Sequence, residues 1–376
     1  MLTQSKPPRV KTILLLFALL FLTACSSKIA TPEISLEEKI GQLLMVGFRG
    51  LSLAENPQLA TDLRAGRIGA VVLFDYDSQK KSHQRNIESK PQLKKLIAEL
   101  QTASPTPLLI AIDQEGGMVS RLKEGYGFPA TLSAHELGQK ADPKFTRETT
   151  EKLAATLSGV GVNLNLAPVV DLCSNPNNPV IAHHQRCFSA DPEQVSRQAA
   201  SYIDAHHQQR ILTSLKHFPG HGSSRGDSHK GFVDISSTWS QDELIPFRKL
   251  IANNKVDTVM TAHVFNHNLD ADYPATLSPK VITGLLRNEL GFAGVVISDD
   301  LQMRALTDHY TFAERIQLAL QAGVDILLFG NNLEYDPLLV DRAQTSIKQL
   351  LQSGVISQER IECSYRRIMK LKRGLG

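Results

Sequence analysis

The sequence predicts an α/β protein, a single (β/α)8 TIM barrel, and three observations carry that prediction. Eight short apolar runs recur along the chain, at 43–48, 70–74, 108–113, 163–170, 211–217, 258–264, 295–299 and 326–330. Amphipathic helical segments separate most of them, such as 92–101, 147–159, 192–208 and 278–290. Polar residues gather where the runs end: Asp113, Lys216, His217, His263 and Asp299. Alternating strands and helices imply a parallel sheet, eight repeats suggest closure, and a barrel carries its chemistry at the C-terminal ends of its strands. An open doubly wound sheet is the alternative, but no phosphate-binding glycine fingerprint follows the first run.

The chain opens on a leader. Lys6, Arg9 and Lys11 form a basic region, and 13–22 is an unbroken apolar stretch of signal-peptide length, too short for a committed membrane span. It ends Leu22-Thr23-Ala24-Cys25, which looks like a bacterial lipobox. Residues 1–24 are therefore read as a lipoprotein signal peptide and Cys25 as the lipidated N-terminus. Residues 25–34 form a tether, and 35–376 the barrel. Several acyl chains on one residue suffice for stable anchoring. Ser26 is not the aspartate of inner-membrane retention, so the expected address is the cell envelope, on the outer membrane facing the periplasm. In a single-membrane cell it is the outer face of the plasma membrane.

Loss of the leader takes three of the 41 basic residues and no acidic one, leaving 38 against 38. That balance argues against nucleic acid as a partner. No interior low-complexity linker or internal repeat divides the rest, so one domain, acting as a monomer, is expected.

Along the barrel, Ser35-Leu36-Glu37-Glu38 reads as a capping box that opens a helix. Cys173 and Cys187 flank a Pro/Asn-rich loop and are expected to pair in an oxidising compartment. Cys363 falls in a C-terminal helical pattern and is expected as a buried thiol. No cysteine spacing resembles a zinc site, and no metal or cofactor is expected. Trp239 reads as packing.

The richest stretch is Lys216-His217-Phe218-Pro219-Gly220-His221-Gly222-Ser223-Ser224-Arg225-Gly226-Asp227-Ser228-His229. An apolar run leads into it, and glycines and a proline turn it into a loop. Asp227 and His229 are two apart and project to the same side of an extended segment. A carboxylate there fixes the imidazole's tautomer and suits it to acid/base work. The third run ends Asp113-Gln114-Glu115-Gly116-Gly117, a carboxylate beside glycines that let a ligand approach, which suits sugar hydroxyls. The seventh ends Ser298-Asp299-Asp300-Leu301-Gln302-Met303. Only one of its two carboxylates can face the barrel axis, and the other is expected to cap the next helix.

Together these motifs resemble glycoside hydrolase family 3, specifically its NagZ-type β-N-acetylglucosaminidases, over residues 35 to 340. The Lys-His-Phe-Pro-Gly-His-Gly run, the following Asp-Ser-His and the Ser-Asp-Asp-Leu-x-Met run occur in family order. The resemblance implies a single-domain TIM barrel with Asp299 as nucleophile, His229 as general acid/base and Asp227 as its orienting partner. It implies that Asp113, Arg121, Arg186, Lys216 and His217 hold the terminal sugar. The chain departs from the family at Ala182-His183-His184-Gln185, Cys187 and Ser189, around Arg186.

The expected activity is that of a retaining exo-β-N-acetylglucosaminidase acting on peptidoglycan fragments, as in peptidoglycan recycling, or on chito-oligosaccharides. Four alternatives stand beside it: a β-N-acetylglucosaminide phosphorylase, a β-glucosidase or β-xylosidase, a metal-dependent barrel hydrolase, and an inactive envelope lipoprotein that only binds peptidoglycan.

Overall fold

The computed structural model describes residues 1–5 and 34–375. The charged and apolar parts of the expected leader, Cys25 and the expected tether through Glu33 lie outside the described residues. The unit beginning at Ser35 carries everything below.

Eight strands form one parallel sheet: β1 (Leu44–Gly47), β2 (Ala70–Leu73), β3 (Leu109–Ile112), β4 (Leu164–Asn165), β5 (Leu212–Phe218), β6 (Thr258–Thr261), β7 (Val295–Ile297) and β8 (Leu327–Phe329). Each falls within one of the eight apolar runs, except that β5 runs one residue further, to Phe218. Each pairs with the next in sequence, except that β7 meets β8 through the single Ile297–Ile326 bridge. Strand β8 returns to β1, with Leu327 opposite Leu44, so the sheet closes. Most strand residues are buried, because interior side chains fill the barrel while alternate ones meet the helices. That is why the strands read as continuous apolar runs rather than alternating ones.

Helices α1 (Leu36–Gln42), α2 (Pro57–Arg64), α3 (Lys90–Ala103), α4 (Pro143–Val160), α5 (Pro192–Gln208), α6 (Ile245–Ala252), α7 (Phe312–Ala322), α8 (Leu339–Gln352) and α9 (Gln358–Arg373) surround the sheet. The capping box at α1 is present: Ser35 Oγ accepts from the Glu38 amide at 3.2 Å, and Glu38 accepts from the Ser35 amide at 2.9 Å. Asp142 and Asp191 start α4 and α5 the same way, each accepting from an amide of the first turn with proline at the next position.

The segment expected as an amphipathic helix at 278–290 is wound more widely, as a π-helix over Lys280–Glu289, with the Leu290 amide donating to Leu285 O. Apolar spacing over ten residues separates helix from strand, but it cannot separate the two windings. Cys363 also differs from expectation. It is only half-buried on α9, with its thiol 3.2 Å from Glu359 Oε1, because it lies on the solvent side of that helix beside the exposed Glu359 and Arg366. Trp239 packs against the core and donates its indole N–H to Pro219 O at 3.0 Å.

Candidate active site

The C-terminal ends of the strands surround a cavity of about 430 Å³, inside the usual range for small-molecule sites. Asp113 and Glu115 reach it from just after β3, Arg186 from the loop after β4, and Lys216 and His217 from β5. Asp227 and His229 come from the loop after β5, and Asp299 and Asp300 from just after β7. Arg121 lines it too, so all eight sugar-binding and catalytic candidates meet in one cavity.

Lys216 and His217 are neighbours, and a regular strand would point them to opposite faces. A register shift against β6 resolves this: Leu215 pairs with Val259 and Phe218 with Thr261, so two residues of β5 oppose the single Met260. This bulge turns both side chains into the cavity.

The charges there are tightly paired. Lys216 Nζ, almost wholly buried, lies 2.7 Å from Asp113 Oδ1 and 2.7 Å from Glu115 Oε1. Arg186 holds Glu115 through two parallel bonds, Nε to Oε2 and Nη2 to Oε1, each 2.8 Å. Arg121 reaches Asp113 Oδ2 at 3.4 Å. Burial pushes both carboxyls up, but the cations outweigh it. Arg186 and Lys216 hold Glu115 at about 2, and Lys216 and Arg121 hold Asp113 below its usual range. The result is a tightly paired, ionised set of donors and acceptors facing the cavity.

Behind this set stands Asp171. Its Oδ2 accepts from His217 Nδ1 at 2.6 Å, and its Oδ1 accepts from the His217 amide at 3.2 Å and the His221 amide at 2.8 Å. Arg186 Nη2 lies 3.2 Å from His217 Nε2 and can only donate, so Nδ1 carries the proton and Nε2 accepts.

The loop after β5 carries the second pair. His229 Nδ1 and Asp227 Oδ1 are 2.9 Å apart, and Asp227 also accepts from the His229 amide at 2.9 Å. The His229 side chain is 52% exposed against 18% for Asp227, so the imidazole faces solvent while its partner is shielded. Burial raises the Asp227 carboxyl, but its bonds to His229 prevail and keep it ionised. Two glycines shape this loop. Gly220 has φ of 117°, and a side chain there would strike Glu243, while one at Gly222 would collide with the Leu172 carbonyl.

Asp299 is half-buried, and desolvation raises it, yet nearby His263, His217 and His229 and the Asp300 amide hold it below its ordinary value. It is an ionised carboxylate at the barrel mouth. Asp300 does not cap the following helix Arg304–Thr307, whose N-cap is Met303. Its Oδ1 instead accepts from the Gly330 and Gln302 amides, each at 3.0 Å, which ties the end of β7 to the end of β8. The intervening turn leaves the carboxylate too early in the chain to reach the helix. Burial pushes Asp300 up to about 6. His263 also sits apart from the cavity lining, with Nδ1 on Thr276 Oγ1 at 2.8 Å and Nε2 on Asp300 O at 2.9 Å.

Cys173 and Cys187 are joined, with Cα atoms 5.5 Å apart, and the bridge sits one residue from Arg186. The departure from the family pattern therefore changes the loop around Arg186 without removing it from the cavity.

Glu115 and Asp171 had no role in the sequence reading. Glu115 was detectable, because it is two residues beyond Asp113 and so shares its side. Asp171 directly follows the fourth apolar run, the position that marks functional residues elsewhere in this barrel.

A family model described as the Glycosyl hydrolase family 3 N terminal domain matches residues 35–371. The Beta-hexosaminidase of Tolumonas auensis is 39% identical over 294 residues, which cover 77% of this chain and 83% of that protein. Beta-hexosaminidase A of Pseudoalteromonas piscicida is 30% identical over 390 residues, 94% of this chain and 63% of that one. A solved glycoside hydrolase family 3 β-N-acetylglucosaminidase from Paenibacillus sp. str. FPU-7 superposes with a TM-score of 0.83 at 35% identity. That match covers 91% of this chain and 63% of the Paenibacillus chain. This chain thus spans just under two thirds of the latter two proteins. The closed barrel, the ordered motifs and these matches agree: the chain belongs to glycosyl hydrolase family 3.

Proposed function

We propose that the protein is a retaining, exo-acting β-N-acetylglucosaminidase that removes terminal N-acetylglucosamine through a covalent intermediate on Asp299. One observation carries the reading: a single cavity is lined by the ionised Asp299 carboxylate, by the His229–Asp227 pair and by the Asp113–Lys216–Arg186 cluster. A nucleophile, an acid/base and a sugar clamp are what double displacement at an anomeric carbon requires.

In the first step an Asp299 oxygen bonds to the anomeric carbon. The glycosidic C–O bond breaks, and His229 Nε2 gives its proton to the departing oxygen. Nδ1 stays on Asp227, which orients the ring much as a triad aspartate does. In the second step water attacks the same carbon and its proton passes to Nε2. The bond to Asp299 then breaks, and configuration is retained.

The same reading places the enzyme in the bacterial cell envelope, anchored through lipid on Cys25. Peptidoglycan fragments are within reach there, and the leader's order of basic, apolar and lipobox segments supports the address. A panel of nitrophenyl glycosides, with and without phosphate, tests the activity. Preferred turnover of the β-N-acetylglucosaminide without phosphate supports it. A preference for the glucoside or xyloside, or a phosphate requirement, would overturn it.

A further inference from the structure

His221 is a buried imidazole that the proposed reaction does not use. Its amide donates to Asp171 Oδ1, the carboxylate that also holds His217. Its ring bridges two serines, with Nδ1 2.8 Å from Ser224 Oγ and Nε2 3.2 Å from Ser228 Oγ. Ser224 Oγ accepts from Asn178 Nδ2 at 3.1 Å, and its own proton has two acceptors in reach, His221 Nδ1 at 2.8 Å and the Gly226 carbonyl at 3.3 Å. His221 Nε2 and Ser228 Oγ form the second bond, one donating and the other accepting according to the tautomer. The relay runs from Asn178, inside the disulfide-closed loop, through Ser224 and His221 to Ser228. Asn178 Nδ2 also donates to the His221 carbonyl at 2.8 Å and the Gly222 carbonyl at 3.0 Å, so this end of the relay is fixed to both loops.

Ser228 is the residue between Asp227 and His229. Its carbonyl accepts from the Ala305 amide at 3.2 Å, in the segment that follows Asp299. The loop's exposed acid/base pair is thus attached by its central residue to both sides of the cavity, and His221 supplies the buried attachment.

We propose that His221 is a positioning residue for the acid/base: through Ser228 it holds the Asp227–His229 pair over the cavity. This rests on the assignment of His229 in the preceding section. The imidazole's place is geometric. Burial also lowers it to about 4, which keeps it neutral, with one ring nitrogen able to donate and the other to accept.

Ser228→Ala tests the latch with the smallest change, because it removes one hydroxyl and keeps the backbone bond to Ala305. Hydrolysis of the disaccharide chitobiose should slow by roughly fivefold to tenfold, the size of one hydrogen bond. The dinitrophenyl N-acetylglucosaminide, whose leaving group needs no proton, should lose much less. Ser228→Thr should restore the disaccharide rate. His221→Phe should behave like Ser228→Ala, with the two combined no worse than one. In a His229→Ala background, Ser228→Ala should have no further effect on chitobiose. Equal losses on both substrates, or an added loss in the His229→Ala background, would overturn the latch. If His229→Ala itself shows no leaving-group dependence, the acid/base assignment fails and the latch falls with it.

Discussion

Glu115 and Arg186, 71 residues apart in sequence, meet through two parallel 2.8 Å hydrogen bonds on the wall of the cavity. The pair fixes the guanidinium plane, so one edge faces Glu115 while Nη2 also reaches His217. Glu115→Gln leaves Arg186 and Lys216 under-compensated in a buried place. Breaking such a pair costs about 3–5 kcal/mol. The variant should denature at clearly lower urea and show a raised KM. A urea midpoint matching the wild type would refute the ion pair's structural role.

Asp299 is the ionised carboxylate at the mouth of β7, whereas Asp300 is bound to the Gly330 and Gln302 amides. A 5-fluoro glycoside should therefore leave its label on Asp299, and peptide mapping by mass spectrometry locates it. Asp299→Asn should lower kcat by at least ~10³-fold. Label on Asp300 or Glu115 would reassign the nucleophile.

His229→Ala should cost ~10²–10⁴-fold on a disaccharide, the usual worth of a positioned acid/base. Its cost to glycosylation by the dinitrophenyl glycoside should be far smaller. Deglycosylation then lacks its base, so a burst of phenol should appear in stopped-flow traces. Asp227→Ala should move both substrates in the same direction by a lesser factor, because the ring loses its 2.9 Å partner.

Glu243 lies under the loop that carries His229. Its Oε1 accepts from the Ser223 amide at 3.0 Å and its Oε2 from the Leu172 amide at 3.5 Å. Burial, reinforced by Asp171, pushes it from 4.5 to about 8. Between those values the folded protein keeps a proton that the unfolded chain releases. Its contribution is full below pH 4.5 and is lost as pH rises toward about 8. Glu243→Gln should therefore be more stable than the wild type at pH 8, on the order of a few kcal/mol, and lose that advantage at pH 5. Urea midpoints of the two proteins across this range measure the difference. An advantage independent of pH would argue against a titrating Glu243.

Cys25→Ala should abolish lipidation, because the lipobox reading attaches the lipid to that thiol. Palmitate labelling that persists in the variant would reject the anchor.

The barrel was legible because its strands are buried on both faces, which concentrates apolar residues into eight recognisable runs. Asp113, Lys216, His217 and Asp299 were legible because their position at strand ends is a local property. His229 and Asp227 were legible as a pair because two-residue spacing is local as well. Glu115 and Asp171 received no role, and His221 only a place among the histidines of the metal-dependent alternative, although each lies in or near a recognised motif. Glu115 and Asp171 act through partners 71 and 46 residues away, and the His221 amide is tied to Asp171 across 50 residues. The role expected for Asp300 failed for a related reason: its distant partner is the amide of Gly330, just past the end of the next strand, rather than the next helix.

By itself, then, the order of residues determined which groups are present and which end of the barrel they occupy, since both follow from periodicity and from where each apolar run stops. The tertiary structure alone decided how those groups pair. Strand β5 carries adjacent Lys216 and His217 into one cavity only because it bulges against β6. Arg186 meets Glu115 only because the loops after β3 and β4 converge across the barrel mouth. Charges that are ordinary in a linear chain become a clamp when burial strips their water and leaves each with only its neighbours to answer it.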